Sequence, residues 1–402
     1  MNPPKSMKVV HKGSAVLIEQ AILAIEDDYI YSGNFNSEDE LLILCFFHNH
    51  PTHNQKLLNQ IQAKFPNAKI TGCGGAGQVH EDIIYDKHMI INFIKFSHSN
   101  QFELIECELS NKDSLQVGLE LGKIITNSKS VSGVIIFSDG LNLDGDKFSE
   151  GLKSQLKITC PIVGGLAGDD ANFKETFVIS KCKIISKKLV AIVLKEHISM
   201  EVTAHGGWKR FGFEHVITKA EGNVIFEIDN RAALEFYKEY LGNESEKLPS
   251  SGLHFPLNVL DQNNLLVPKE NVVRTLLAID QEKKSLTFAG SIPLYAKIDL
   301  MKSTDKDLLA AAEENVKILL LSLDKISKKN INVFSLVISC VGRRLALGQK
   351  IEEELLGFKD LPGKVYQSGF YSYGELSSTQ NSKCRLQNQT LTQAIFWEDS
   401  DD

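Results

Sequence analysis

Three short segments bring together residue types suited to ligand recognition. The first is Gly164-Gly165-Leu166-Ala167-Gly168-Asp169-Asp170. Its glycines, Gly164, Gly165 and Gly168, let backbone N–H groups approach a bound molecule and tolerate positive φ. Asp169 or Asp170 beside them can hold an ammonium or hydroxyl group. The same composition also makes a tight turn between strands. A phosphate loop does not fit, because no Gly-Lys-Ser/Thr follows and the next segment reads as strand. The second segment is Ser339-Cys340-Val341-Gly342-Arg343. Arg343 can grip a carboxylate with two prongs, while Cys340 reads as a core thiol or, alternatively, as a nucleophile. The third is Gly369-Phe370-Tyr371-Ser372-Tyr373-Gly374-Glu375. In an extended chain Tyr371 and Tyr373 share one face, and with Glu375 they can recognise a cationic amine. The bland alternative is a core-lining strand end with Glu375 paired to Arg343 or Arg274. His48, His50 and His53 lack an acidic or thiol partner nearby and read as a polar loop, not a metal site. Ser138-Asp139-Gly140 reads as a turn or a site edge.

These segments fall at equivalent points of a pattern that occurs three times. Each copy is an apolar strand, a polar turn, a helix, a proline, a second strand and a glycine turn. The first runs from Leu41–Phe47 through Leu57, Leu58 and Ile61 to Ile70–Gly77. The second runs from Gly133–Phe137 through Phe148, Leu152 and Leu156 to Ile162–Asp170. The third runs from Val333–Ile338 through a Glu-rich helix from about Gln349 to Val365–Glu375. Uninterrupted apolar strands imply burial on both faces, and strand–helix–strand crossovers imply parallel pairing. Functional groups in such sheets gather at the strands' carboxyl ends. The polar tips of the three copies are therefore expected to meet around a shared hollow. Residues 176–230 read as mainly β, with Asp229 capping a helix that Gly242 ends. Residues 243–254 read as loop. A long amphipathic helix is expected from about Asp305 to Lys328, with Thr304 and Asp307 as its capping pair. The expected fold is α/β with α+β elements. It comprises two fused halves, residues 1–215 and 216–402, with mixed sheets flanked by helices.

The chain has 402 residues, 43% hydrophobic and 24% charged, which is a soluble-globular balance large enough for two or three cores. Net charge is -7, which disfavours nucleic-acid binding. No run approaches the ~18 apolar residues that span a bilayer, and the start Met1-Asn2-Pro3-Pro4-Lys5 has no signal-peptide core. Seven scattered cysteines without a C-x-x-C pair indicate free thiols in a reducing, cytoplasmic setting. No metal and no cofactor is implied.

The ordered segments resemble the FIST family, whose members carry an N-terminal and a C-terminal FIST domain. The resemblance rests on Gly164–Asp169, on Val216–Asn223 with Asp229, and on Ala233-x-x-Phe236-Tyr237-x-x-Tyr240-Leu241-Gly242. It continues with Arg274, Phe288–Pro293, Ser339–Arg343, Gly369–Leu376 and Cys384–Thr390. The family's Gly-Cys-Ser-like turn is Gly72-Cys73-Gly74 here, without the hydroxyl. The resemblance implies sensing of small molecules, amino acids or their derivatives among them, and signalling to a separate protein partner. From the residues' own chemistry, the expected ligand-binding residues are Gly164, Gly165, Gly168, Asp169, Cys340, Arg343, Tyr371, Tyr373 and Glu375, with no catalytic set. Two other readings stand beside it: an enzyme using Cys340 or Cys73, and an interaction scaffold without a ligand-sized pocket.

Overall fold

The computed structural model describes residues 16–24, 31–110, 112–260, 271–324, 332–358, 364–379 and 382–399. The fold is mixed α/β. Its helices are α1 (Pro51–Lys64), α2 (Ser114–Asn127), α3 (Gly145–Gln155), α4 (Ala233–Leu241), α5 (Asp305–Asp324) and α6 (Val341–Leu347).

The three copies of the sequence pattern form three six-stranded sheets of the same design. In the first, Leu42–Phe47 and Lys69–Gly74 run parallel across α1; in the second, Gly133–Ser138 and Ile162–Leu166 run parallel across α3. In the third, Asn332–Cys340 and Lys364–Ser372 run parallel across α6 and a 3-10 helix, Gly348–Phe358. Each sheet then adds antiparallel strands, and its last two come from another copy. The hairpin 78–85 leaves the first copy for the third sheet. The hairpin 178–185 leaves the second for the first sheet, and 374–387 leaves the third for the second sheet. The exchange closes a ring, so no copy completes its sheet alone.

Inward faces of all three sheets bury one shared core, including Phe46, Phe137, Ile338 and Phe370. The helices cover the outer faces, where Leu57, Leu58 and Ile61 of α1 and Phe148, Leu152 and Leu156 of the α3 segment are buried. Both faces of the central strands are thus dry, which explains their unbroken apolar runs. Where Phe370 crosses the axis, Gly165 makes room: a Cβ there would lie 2.6 Å from its ring.

Between Ile198–His205 and α5 the third copy carries an eight-stranded, antiparallel sheet that curls around α4 and has its own core. It joins the body through a stalk in which Lys209 pairs with Lys302. Three local expectations are corrected here. Asp229 does not cap α4. It occupies a left-handed turn and accepts from Val216 N and faces His215, while α4 starts at Ala233 without a side-chain cap. The Glu-rich segment from Gln349 is 3-10 rather than α, because Gly348 at φ 55 ends α6 just before it. Residues 242–247 and 250–254 are also short 3-10 helices. In α5 the Thr304–Asp307 pair forms the reciprocal cap; Ile326 and Lys328 lie outside the described residues.

Candidate functional site

The three strand tips do meet, and among the described residues backbone hydrogen bonds knit them together at the axis. Gly168 N donates to Gly74 O at 3.1 Å, Ala76 N to Tyr371 O at 2.9 Å, and Tyr373 N to Leu166 O at 3.0 Å. Gly164, Gly165 and Gly168 serve this packing. A Cβ on Gly164 would come within 2.5 Å of Ile136 O, and one on Gly168 within 3.0 Å of Ala76 N. The hollow lies to one side, where the second and third copies face the inserted sheet.

Two buried aspartates shape its rim. Asp139 ends Gly133–Ser138 and accepts from Leu141 N, Asn142 N, Thr176 Oγ1 and Lys187 N. Asp169 follows Ile162–Leu166 and accepts from Phe173 N, Lys174 N and Glu175 N at 2.8, 2.8 and 3.1 Å. A carboxylate gathering several backbone donors fixes a loop without helix or sheet. The loop held by Asp169 presents Phe173, whose ring stacks on Tyr373 at 4.3 Å and 17°. The Tyr373 hydroxyl donates to Asp169 Oδ1. Burial and that carboxylate push the Tyr373 phenol well above its usual range. The result is an immobilised aromatic platform.

Around the platform lies a cleft with two chambers that share Phe173, Leu277, Ala289, Tyr373 and Asn388. The larger, about 610 Å³, is lined by polar groups including Asn142, Asp144, Lys147, Asn223 and Ser291. The smaller, about 200 Å³, is lined by Leu253, Leu276, Val341, Leu345, Thr275 and Cys340. Asp146 and Gln389 give three hydrogen-bonded contacts that span the cleft. Arg274 Nη2 donates to Asp146 Oδ1 at 2.6 Å, Ser291 N to Asp146 Oδ2 at 2.7 Å, and Gln389 Nε2 to Leu253 O at 3.0 Å.

Apart from the three glycines, which pack the strand tips, the expected site residues divide into three groups. Tyr373 and Cys340 line the cleft, and Asp169 stands directly behind Tyr373. Glu375 is fully buried behind Cys340 and pairs with neither Arg343 nor Arg274. It accepts from Ser372 Oγ at 2.6 Å, Thr390 N at 3.2 Å and Thr390 Oγ1 at 2.9 Å. Burial pushes its carboxyl up to about 7. Arg343 and Tyr371 sit inside the third copy instead. Arg343 bonds Glu354, Gly206 O and Leu308 O, and Tyr371 OH donates to the same Glu354. The two tyrosines do not form one wall, because the chain leaves the third sheet after Ser372 and joins the second at Gly374. The crossover at Tyr373 breaks the alternation of faces that an unbroken strand would keep. His48 faces Asp170 at 2.7 Å, linking the tips of the first two copies.

Sequence reading passed over Asn388 and Thr275. Both are buried, both line the smaller chamber, and neither Asn388 Oδ1 nor Thr275 Oγ1 meets a protein hydrogen-bond partner among the described residues. The signal available was the segment Cys384–Thr390, in which Asn388 already lay.

An enzyme reading needs a reactive thiol; its two candidates are Cys73, which burial raises well above its usual range, and Cys340. Burial, and secondarily Glu375, drive it well above its usual range. At neutral pH it is expected to react with iodoacetamide at least tenfold or so more slowly than free cysteine, since the thiolate is the reactive form. Mass-spectrometric labelling of the native protein checks this; rapid labelling of Cys340 at pH 7 would favour the enzyme reading.

A protein of Methanocaldococcus jannaschii, described only as uncharacterised, is 25% identical over 206 residues, 48% of this chain and 39% of that protein. Uncharacterised proteins of Mycobacterium bovis and Mycobacterium tuberculosis are each 21% identical over 247 residues, 59% of this chain and 61% of theirs. This chain thus spans less than two thirds of the length of each. The FIST N domain matches residues 41–231 and the FIST C domain residues 233–378. Taken in that order the two matches run through the interlocked body and its inserted sheet, and the chain belongs to the FIST family of sensory and signal-transduction domains.

Proposed function

We propose that this protein is a cytoplasmic sensor that binds a small molecule in the two-chambered cleft and reports it to a separate signalling protein. The observation that carries the reading is the cleft itself. It is bordered by the second copy, the third copy and the inserted sheet, and it is built around a platform locked by Asp169. Mostly apolar walls with a few convergent polar groups, in a space of several hundred Å³, characterise small-molecule sites. Amino acids and their derivatives fall within its size range. A ligand touching both walls favours the arrangement in which the inserted sheet lies close against the body. That differential affinity biases the stalk-mounted sheet between positions, which a partner can read. Free rather than bridged cysteines accord with a reducing compartment.

A ligand present at 100 times its Kd adds about 2.7 kcal/mol to stability. Thermal melting against a metabolite panel that includes the amino acids is therefore expected to give at least one rise of several degrees. Ala289→Phe, which fills the junction of the two chambers, is expected to abolish that rise without abolishing folding. A panel without a shift, or a shift unchanged in Ala289→Phe, would remove the cleft from its proposed role.

A further inference from the structure

Three of the large apolar side chains that the fold leaves exposed converge on one place. Phe173 is 49% exposed, Leu277 44% and Leu345 50%, and all three line the smaller chamber. They come from separate parts of the fold: the loop held by Asp169, the inserted sheet and α6. Single exposed apolar residues need no explanation, but several meeting in one concavity mark a binding site. Half-buried Leu253, Ala289 and Val341 continue the same wall. The polar residues there offer a ligand little. Thr275 and Asn388 are 5% and 2% exposed, and Ser250 Oγ donates to Lys247 O at 2.6 Å. Among the described residues lining this chamber none is Asp, Glu, Lys, Arg or His, whereas the larger chamber has Asp144 and Lys147. A charge placed in the smaller chamber would lose its hydration and find no counter-ion. Its volume is about 200 Å³. A dry apolar cavity of about 150 Å³ already takes benzene.

Resting on the cleft as the ligand site, we propose that the ligand is an amphiphile whose uncharged hydrocarbon end fills the smaller chamber while its polar end lies in the larger one. That hydrocarbon has the size of one ring or of a chain of about six carbons. It covers Phe173, Leu277 and Leu345 together, and so holds the loop, the inserted sheet and α6 against one another.

Ligand-observed NMR titration of the intact protein with simple alcohols tests this. Affinity is expected to rise about fourfold per added methylene from n-butanol to n-hexanol. The ω-amino and ω-carboxylate derivatives of n-hexanol carry a charge at the end that would enter the chamber. They are expected to bind at least about tenfold more weakly than n-hexanol itself. Phenylethanol run beside n-hexanol separates a ring from a chain, and either one as the tighter ligand supports the proposal. In Leu345→Asp, a change at an exposed position, the order between n-hexanol and ω-aminohexanol is expected to reverse, because the new carboxylate supplies a counter-ion. Leu321→Asp, on α5 and outside both chambers, is expected to keep the wild-type order. Alcohols that do not bind, affinity that ignores chain length, ω-charged alcohols as tight as n-hexanol, or an unchanged order in Leu345→Asp would each overturn the hydrocarbon assignment. The cleft itself stands in those cases if a panel metabolite still shifts melting in an Ala289-dependent way. Failure of the alcohols and of the whole panel would overturn the cleft reading and this inference together.

Discussion

Arg343→Met is expected to destabilise the protein by about 3–5 kcal/mol, the cost typical of breaking a buried ion pair by removing one partner. The guanidinium is fully buried, and so is its partner Glu354. Arg343 Nε and Nη2 bond Glu354 Oε2 at 3.0 and 2.9 Å, and its remaining donors reach Gly206 O at 2.6 Å and Leu308 O at 3.0 Å. Those two carbonyls lie just before the stalk and at the start of α5. The arginine thus ties α6, α5 and the entry to the inserted sheet in one knot. Methionine keeps much of the volume but leaves the Glu354 carboxylate buried with only Ser339 Oγ and Tyr371 OH as donors. Adding Glu354→Gln removes the stranded charge, so the double variant is expected to recover part of the loss. Urea unfolding of the wild type, both single variants and the double variant measures the coupling. A single Arg343→Met variant within about 1 kcal/mol of the wild type, the scale of exposed pairs, would contradict this role.

Glu375 is expected to make the protein less stable as pH rises through the mildly acidic range. Its carboxyl is raised from 4.5 to about 7, chiefly by burial. Below about pH 4.5 both folded and unfolded chains hold the proton, and the residue contributes no pH dependence. Between 4.5 and about 7 the unfolded chain releases it while the folded chain retains it, so stability falls with rising pH. Above about 7 both states are ionised and the penalty is constant, amounting to ~3 kcal/mol from the shift. In Glu375→Gln this slope is absent. The stability of the wild type relative to the variant should therefore drop by roughly that amount between pH 4.5 and 7.5, as read from urea melts at several pH values. Parallel curves for the two proteins would show that Glu375 titrates normally. Because Thr390 binds Glu375 on one side and accepts from Cys340 N on the other, ionisation also bears on the turn that carries Asn388.

The repeat was legible because its strands are buried on both faces, and a run such as Gly133–Phe137 admits few other readings. Helix faces in α1 and α5 followed from spacing alone. The exchange of hairpins was not legible. Gln78–His80 and Val178–Ser180 are only 3 residues each, too short to carry a pattern, and their choice of sheet depends on shape at the axis. The same exchange misled the reading of Tyr371 and Tyr373, which look like neighbours on one strand but sit on either side of a crossover. Asp169 was found through its glycine neighbours, but its partners are backbone amides three to six residues on, and those give no sequence signal. Arg343 was expected either to grip a ligand carboxylate or to pair with Glu375, and it does neither in this structure. Its partner, Glu354, lies on a 3-10 helix whose inward face cannot be read from an α-helical period. Asn388 was hidden because nothing in a polar turn tells which side chain points inward.

The location of the ligand site is tested most directly by hydrogen exchange of the wild-type protein with and without whichever panel metabolite raises its melting point most. Slower exchange is expected together in residues 140–147, 275–291 and 386–390, the three walls of the cleft, with little change at the outer hairpin 78–85. Protection confined to the knitted strand tips at 72–77, or to the outer helices, with those three walls unchanged, would contradict the account.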